Sequence, residues 1–451
     1  LVLRPAWGLR LEIATATTAL VVWSALSGRL GNPGAGVVVV VVVGVGSRWK
    51  RLRERVVLAF HRARLRRRFA SAVRYAGLAT VNDRVPTPVA VSSIPSGDLL
   101  RVRVPAGSNT TMLASAADTI AAYLGVRDVR VVRDPANARY ADVRVVACDP
   151  LSGSPSMAWR NLDVPRLSVW ESIPVGVDED GQLVELRLPE HHVLVGGEPG
   201  AGKSVAVSMV VATAALDPGV CLWLLDGKMV ELAVWEGCAH RFVGADVAEA
   251  IEVLRELVGV VDERLGALKE RRKRKVEPGD GLALHVLVVD ELAFYCRKPR
   301  PHGPEFSALL TDLVARGRAA GVIVVAATQK PSHDTIPTSL RDLFSFRWAL
   351  RCSTRDASDT ILGAGWASEG YSAATIDAAD RGVGFLRHEG GNPVRCKACY
   401  LSDADLETLA ARAEALRAGR PQETLATVVP LPSASAGVNP ALTGEPGEPG
   451  R

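Results

Sequence analysis

The stretch that most constrains this chain runs from His191 to Leu216, HHVLVGGEPGAGKSVAVSMVVATAAL. A short apolar run leads into a glycine-rich loop, then a lysine and a serine, then an uninterrupted helix-forming segment. Gly197, Glu198, Pro199, Gly200, Ala201, Gly202, Lys203 and Ser204 satisfy G-x-x-x-x-G-K-[ST] at every fixed position. The order has a physical reason. The glycines let the backbone curl so that several N–H groups face phosphate oxygens. Lys203 reaches the β- and γ-phosphates, and the Ser204 hydroxyl is a ligand for Mg2+. The helix expected over Val205–Leu216 aims the positive end of its dipole at the same anion. The stretch therefore predicts a strand–loop–helix site for ATP and Mg2+.

Such a site needs carboxylates at the end of another strand. LHVLVVDELAFY (Leu284–Tyr295) ends its apolar run in Asp290 and Glu291. Asp290 is expected to hold Mg2+, directly or through water, and Glu291 to polarise the attacking water as general base. A third strand, GVIVVAATQKP (Gly321–Pro331), ends in Thr328 and Gln329. Gln329 at that tip reads as a γ-phosphate sensor, or else as a simple hydrogen-bonded strand end. The preceding helix carries Arg316 and Arg318, with Asp312 the only carboxylate close in sequence. In ring ATPases an arginine so placed stabilises transition-state charge on the neighbouring subunit's nucleotide. Surface arginines are the alternative.

Composition narrows the remainder. The 451 residues suffice for two or three domains and a large core. The net charge of +5 is unevenly placed, because arginines and lysines crowd Arg48–Arg74 and leave the rest slightly acidic. A basic pI is thus no sign of a globally DNA-coating surface. The 7 cysteines are scattered. Cys396 and Cys399 form a single CxxC, too little for a four-ligand zinc site and readable as two strand residues.

Ile13–Leu26 and Ala35–Gly46 are uncharged apolar runs joined by the turn-forming GRLGNPG. Each is shorter than the ~20 residues of a comfortable membrane span. Their adjacency, the tight turn and the arginines that follow favour a membrane helical hairpin with both ends cytoplasmic. A cleaved signal peptide, a single span or a valine-rich strand are the alternatives. Ser47–Gly77 then reads as a basic helix on anionic headgroups, as a solvated connector, or as a nucleic-acid contact. Arg101–Pro150 alternates like strands around a helical stretch capped by Asn109, giving a small α/β unit. The basic run Ala267–Gly281 is either a DNA-phosphate contact or a solvated helix end.

Three further segments carry a resemblance. CLWLLDGKMVELAVWEGCAH (Cys221–His240), ARGRAAGVIVVAATQKPS (Ala315–Ser332) and FRWALRCSTRDASDTILG (Phe346–Gly363) together closely resemble the corresponding segments of the FtsK/SpoIIIE family of DNA translocases. The resemblance covers about Leu186–Asp403 well and about Arg101–Glu185 weakly. It implies a RecA-like motor, a hexameric ring and duplex DNA threaded through the pore. It also assigns Lys203 and Ser204 to nucleotide and Mg2+, Asp290 and Glu291 to the Walker B pair, Arg318 to a trans-acting finger and Gln329 to the sensor. Gly227 stands where the family often has proline, and Lys330 replaces an arginine. The segment after the motor offers one amphipathic helix, Ser402–Gly419, rather than the family's winged-helix module, so sequence-directed orientation is not expected.

The expected fold is α/β: a RecA-like P-loop motor with a small preceding α/β domain and an N-terminal transmembrane helical hairpin. The segments are 1–46 (hairpin), 47–81 (basic juxtamembrane helix), 82–185 (small domain), 186–403 (motor), 404–419 (helix) and 420–451 (disordered tail, rich in proline, glycine and serine). The expected function is ATP-driven movement of double-stranded DNA by a homo-hexamer at the cell membrane, motor in the cytoplasm, in intercellular transfer or chromosome segregation. A protein-secretion ATPase on the same motor is the rival. A non-hydrolysing scaffold is disfavoured by the intact Asp290–Glu291 pair.

Overall fold

The computed structural model describes residues 56–153, 157–296, 302–329, 331 and 336–418. The apolar runs Ile13–Leu26 and Ala35–Gly46, Lys330 and the 420–451 tail lie outside the described residues. Among the described residues no helix is long and apolar enough to cross a membrane. The chain divides into two compact units, the first ending at Cys148 and the second starting at Asp149.

In the first unit, helix α1 (56–75) precedes β1 (Thr87–Ile94), β2 (Gly97–Arg103), α2 (Thr110–Ser115), α3 (Ala117–Leu124), β3 (Asp128–Arg133) and β4 (Tyr140–Val146). The strands form an antiparallel sheet in the order β1-β2-β4-β3. Alternation does the work here: Leu100 and Val102 in β2, and Ala141, Val143 and Val145 in β4, turn one face inward. The Asn109 side chain caps α2 by accepting from the Met112 amide at 2.7 Å. The single helix expected after Asn109 is broken at Ala116. Its inward face is Leu113, Ile120 and Leu124, while Met112 and Tyr123 are exposed.

Helix α1 corrects a second expectation. Leu65, Phe69, Ala72 and Val73 recur at helical spacing and are buried in this unit's core. Arg66 and Arg68 bond the Val89 and Leu124 carbonyls. The basic helix is thus a packed part of the small domain rather than a separate connector. Arg64 and Arg67 remain on its exposed face.

The second unit contains β5 (Ile173–Asp178), β6 (Leu183–Leu186), β7 (Val193–Gly196), α4 (Lys203–Ala215), β8 (Val220–Leu225), β9 (Arg241–Val243), α5 (Val247–Glu270), β10 (Leu284–Val289), α6 (Leu292–Cys296), α7 (Gly303–Ala320), β11 (Val322–Thr328), α8 (Thr338–Arg341), β12 (Phe346–Leu350), α9 (Arg355–Leu362), β13 (Val383–His388), β14 (Val394–Ala398) and α10 (Asp403–Arg417). Its ten-stranded sheet runs β6-β5-β14-β13-β12-β7-β11-β10-β8-β9. From β12 to β9 the strands are parallel; from β12 to β6 each pair is antiparallel. Strands β8, β10 and β11 read VCLWLL, LHVLVV and VIVVAAT and are buried throughout, as parallel strands covered on both faces must be. Helices α4 and α10 cover one face, and α5, α7 and α9 the other. Trp223, Trp235 and Trp348 are fully buried, and burial of a large apolar side chain contributes roughly 1.5–3 kcal/mol.

Two expected boundaries move. Hairpin β5–β6 does not belong to the small domain: β5 pairs with β14, placing Gly176 opposite Ala398 and Asp178 opposite Cys396. A Cβ on Gly176 would lie 2.3 Å from the Lys397 carbonyl oxygen, so only glycine permits this approach. Helix α10 is not an appendage either. Leu409, Ala410 and Ala413 are buried against the α4 side of the sheet. Cys396 and Cys399 are buried free thiols, and burial pushes them up to about 12 and about 11.

Candidate functional site

The carboxyl ends of β7, β8, β10, β11 and β12 meet at one edge of the parallel sheet, where α/β folds place their ligands. The glycine loop leaves β7 there. Gly200 and Gly202 adopt φ values of +77° and +102°, which L side chains rarely adopt. A Cβ on Gly202 would also meet the Gly382 backbone at 3.0 Å. The loop is pinned from three sides. Gly197 donates to the Thr328 carbonyl at 3.2 Å, Glu198 to the Arg351 carbonyl at 2.9 Å, and Gly382 to the Ala201 carbonyl at 3.0 Å. Arg351 adds an ion pair to Glu198 at 2.6 Å. Pro199 and Gly200 stay exposed at the loop crest. Helix α4 starts at Lys203, so its first-turn amides and dipole point toward the loop. Beside the loop, a cavity of about 420 Å³ is lined by Glu198, Pro199, Gln329, Cys352, Ser353 and Thr354 among others. Burial pushes the Cys352 thiol up to about 12, so it remains protonated.

Lys203 reaches across to the end of β10. Its Nζ donates to Asp290 Oδ1 at 2.8 Å and to the Asp290 carbonyl at 3.0 Å. Asp290 Oδ2 is buried with no hydrogen-bond partner, the kind of open valence a divalent cation satisfies. Ser204, next on α4, supplies the hydroxyl such a cation takes in P-loop sites. The donor set therefore fits Mg2+. Glu291 is held from β11: Thr328 Oγ1 donates to Oε1 at 2.9 Å and the Gln329 amide donates to Oε2 at 3.0 Å. Gln329 thus meets Glu291 through its backbone, while its residue borders the cavity beside the loop.

Arg318 is placed elsewhere. Its Nε donates to the Glu190 carbonyl at 2.6 Å, ahead of β7, at the sheet edge opposite the loop. It borders a cavity of about 280 Å³ with Arg347, Arg387, Asp342 and Glu389. It cannot reach its own loop. Arg316 is bound to Asp312 and Asp262. In the basic run, Lys273 pairs with Asp280, and Lys275 with Glu190 at 2.6 Å. Residues given no role from sequence also shape the site. Lys228 lies 3.8 Å from both Asp290 Oδ2 and Glu291 Oε2. The Thr328 hydroxyl makes the side-chain contact to Glu291. Arg417 bonds the Ala214, Ala215, Asp217 and Val220 carbonyls where α4 ends. The DGKMVEL run did contain Lys228, but nothing local revealed what it faces.

A parallel sheet in which β11 separates the glycine-loop strand from the acid-bearing strand, with the loop lysine bonded to the first acid, is the arrangement of a P-loop motor ATPase. Residues 157–391, just over half the chain, match the FtsK/SpoIIIE family, and the chain belongs to it. Among its relatives, DNA translocase FtsK of Streptococcus pyogenes is 26% identical over 336 residues, covering 70% of this chain and 41% of the relative. DNA translocase FtsK of Staphylococcus epidermidis is 29% identical over 218 residues, covering 44% of this chain and 27% of the relative. The chain thus spans less than half the length of these relatives. Among solved structures, the pCW3 conjugation coupling protein TcpA, a monomer form with ATPγS, has the same fold at a TM-score of 0.53 and 18% identity, covering 78% of this chain and 99% of TcpA.

Proposed function

We propose that this chain is an ATP-driven translocase of double-stranded DNA. The observation that carries the proposal is the convergence of Lys203, Asp290 and Glu291 at one sheet edge in a chain of this family. Lys203 and the loop amides hold the β- and γ-phosphates. Bound Mg2+, held by Ser204 and Asp290, would neutralise charge on the phosphates. Glu291 takes a proton from the attacking water as the water oxygen bonds to the γ-phosphorus. The bond from that phosphorus to the β-phosphate oxygen breaks, leaving ADP and phosphate. Gln329 senses the γ-phosphate.

Arg318 faces away from its own loop, so a role at a nucleotide would be on a neighbouring subunit's, which suits the hexameric ring that the family resemblance implies. DNA as cargo is supported by the relatives, which are DNA translocases, and its duplex form by the family resemblance. Residues 1–148 carry 22 Lys and Arg against 8 Asp and Glu, whereas residues 149–451 carry 32 against 41. That distribution suits a basic N-terminal part facing anionic headgroups on the cytoplasmic side of the membrane, with residues 1–46 as anchor. Transfer of DNA between cells or chromosome segregation is the proposed setting. The test is ATP hydrolysis by the full chain with and without linear duplex DNA, with Lys203→Ala as control. Stimulation by duplex DNA that the variant loses supports the reading. Robust hydrolysis indifferent to DNA points to a protein cargo instead.

A further inference from the structure

Two lysines converge on the acid pair. The second, Lys228, sits in the turn after β8, with its Nζ 3.8 Å from Asp290 Oδ2 and 3.8 Å from Glu291 Oε2. That turn is held in place. The fully buried Asp226 carboxylate accepts from the backbone amides of Lys228 at 3.1 Å, Met229 at 2.9 Å and Leu232 at 2.8 Å. Met229 is kept at φ +58°, a conformation that a non-glycine residue adopts only under constraint. A Cβ on Gly227 would lie 2.8 Å from the Phe294 ring, so the turn rests on the helix that follows Glu291. The lysine and the acids therefore belong to one packed assembly.

The contacts on Glu291 come from two sides. Strand β10 lies between β8 and β11. On the β11 side, Thr328 and Gln329 donate to Glu291. On the β8 side, among the described residues, lies the Lys228 ammonium, whose side chain is 35% exposed, against 11% for Glu291 and 1% for Asp290. Lys228 is thus the outermost charge of the group. Its 3.8 Å spacing exceeds the ~2.7–2.9 Å of a direct charge-assisted hydrogen bond, so it attracts both carboxylates without being bonded tightly to either.

We propose that Lys228 is a positioning residue for hydrolysis. It opposes the pull of Thr328 and Gln329 and keeps Glu291 Oε2 facing the mouth of the site, where the carboxylate meets the attacking water. This inference rests on the reading of Glu291 as the base. A lysine that merely offset two buried acids would affect folding and not turnover.

The experiment compares Lys228→Met, Lys228→Arg and Glu291→Gln in the full chain. It reads steady-state ATP hydrolysis and, separately, the dissociation constant of a fluorescent ATP analogue. For Lys228→Met, kcat is expected to fall about ten- to a hundredfold, part of the ~10²–10⁴ that a placed base supplies. Affinity for the analogue should change by no more than about threefold, since uniform binding is not what is lost. Lys228→Arg, which keeps the charge, should recover part of the loss. Unchanged kcat in Lys228→Met, with Glu291→Gln inactive, would overturn the inference alone. A fall in affinity that accounts for the whole loss would do the same. Hydrolysis that survives Glu291→Gln would overturn the base reading and this inference with it.

Discussion

Lys203 Nζ is bonded to Asp290 Oδ1 at 2.8 Å, and both side chains are almost fully buried. The first turn of the glycine-loop helix is therefore tied to the end of β10 by an ion pair. Removing one partner of a buried pair leaves an uncompensated charge, which typically costs about 3–5 kcal/mol. Lys203→Met is expected to lower unfolding stability without nucleotide by about 3 kcal/mol, read by urea denaturation. The double variant Lys203→Met, Asp290→Asn should regain much of that loss. A Lys203→Met protein as stable as wild type would mean that the pair is not formed in solution.

The Thr328 hydroxyl is the buried side-chain donor to Glu291. Thr328→Val keeps the shape and removes the donor. Hydrogen bonds to charged groups are worth about 1.5–3 kcal/mol. The expected result is a fall in kcat of roughly tenfold or more, with nucleotide affinity little changed. Kinetics and equilibrium binding on the same preparation check it; equal losses in both would count against a role confined to Glu291.

Arg417 ties α10 to the carbonyls at the end of α4. A cation there also complements the helix dipole. Arg417→Ala is expected to cost about 2–3 kcal/mol by unpairing buried carbonyls. A chain cut before Ser402 should lose more, because Leu409, Ala410 and Ala413 go with it. Thermal unfolding of the two proteins tests this; unaltered midpoints would show that α10 does not support the motor.

His192 is buried at the start of β7, and its Nδ1 accepts the Val324 amide at 2.9 Å. Burial, and then the nearby Arg318 charge, lower it from 6.5 to about 3. The unfolded chain takes up a proton below pH 6.5, while the folded chain does so only near 3. This contribution to stability is thus complete above pH 6.5 and is lost as pH falls toward 3, at ~1.4 kcal/mol per unit. His285 shifts in the same direction through burial and adds to the slope. His192→Asn should flatten the dependence between pH 6 and 4 by about one proton, read from denaturation at several pH values. An unchanged slope would contradict the assignment.

What the sequence disclosed follows from locality. Gly197–Ser204 and Asp290–Glu291 could be read because each is a short run at a strand end, with the apolar strand beside it as context. Thr328 and Gln329 stood at such an end too, although which of them would present its side chain to Glu291 depended on the pleat. Lys228 and Arg417 act on partners far away in sequence, and no local pattern marks them. Hairpin β5–β6 looked like part of the small domain because pairing of Gly176 with Ala398 joins distant segments. In α1, the Leu65, Phe69, Ala72 and Val73 stripe was present but overshadowed by arginines, so the helix read as a segment separate from the small domain.

In the proposed function, hydrolysis at Lys203, Asp290 and Glu291 moves the protein along duplex DNA. The most direct measurement is displacement of a third strand from a linear duplex by the full chain, with ATP and with Glu291→Gln as control. ATP-dependent displacement by the wild type and none by the variant is the expected result. A wild-type protein that hydrolyses ATP yet leaves the third strand in place would contradict it.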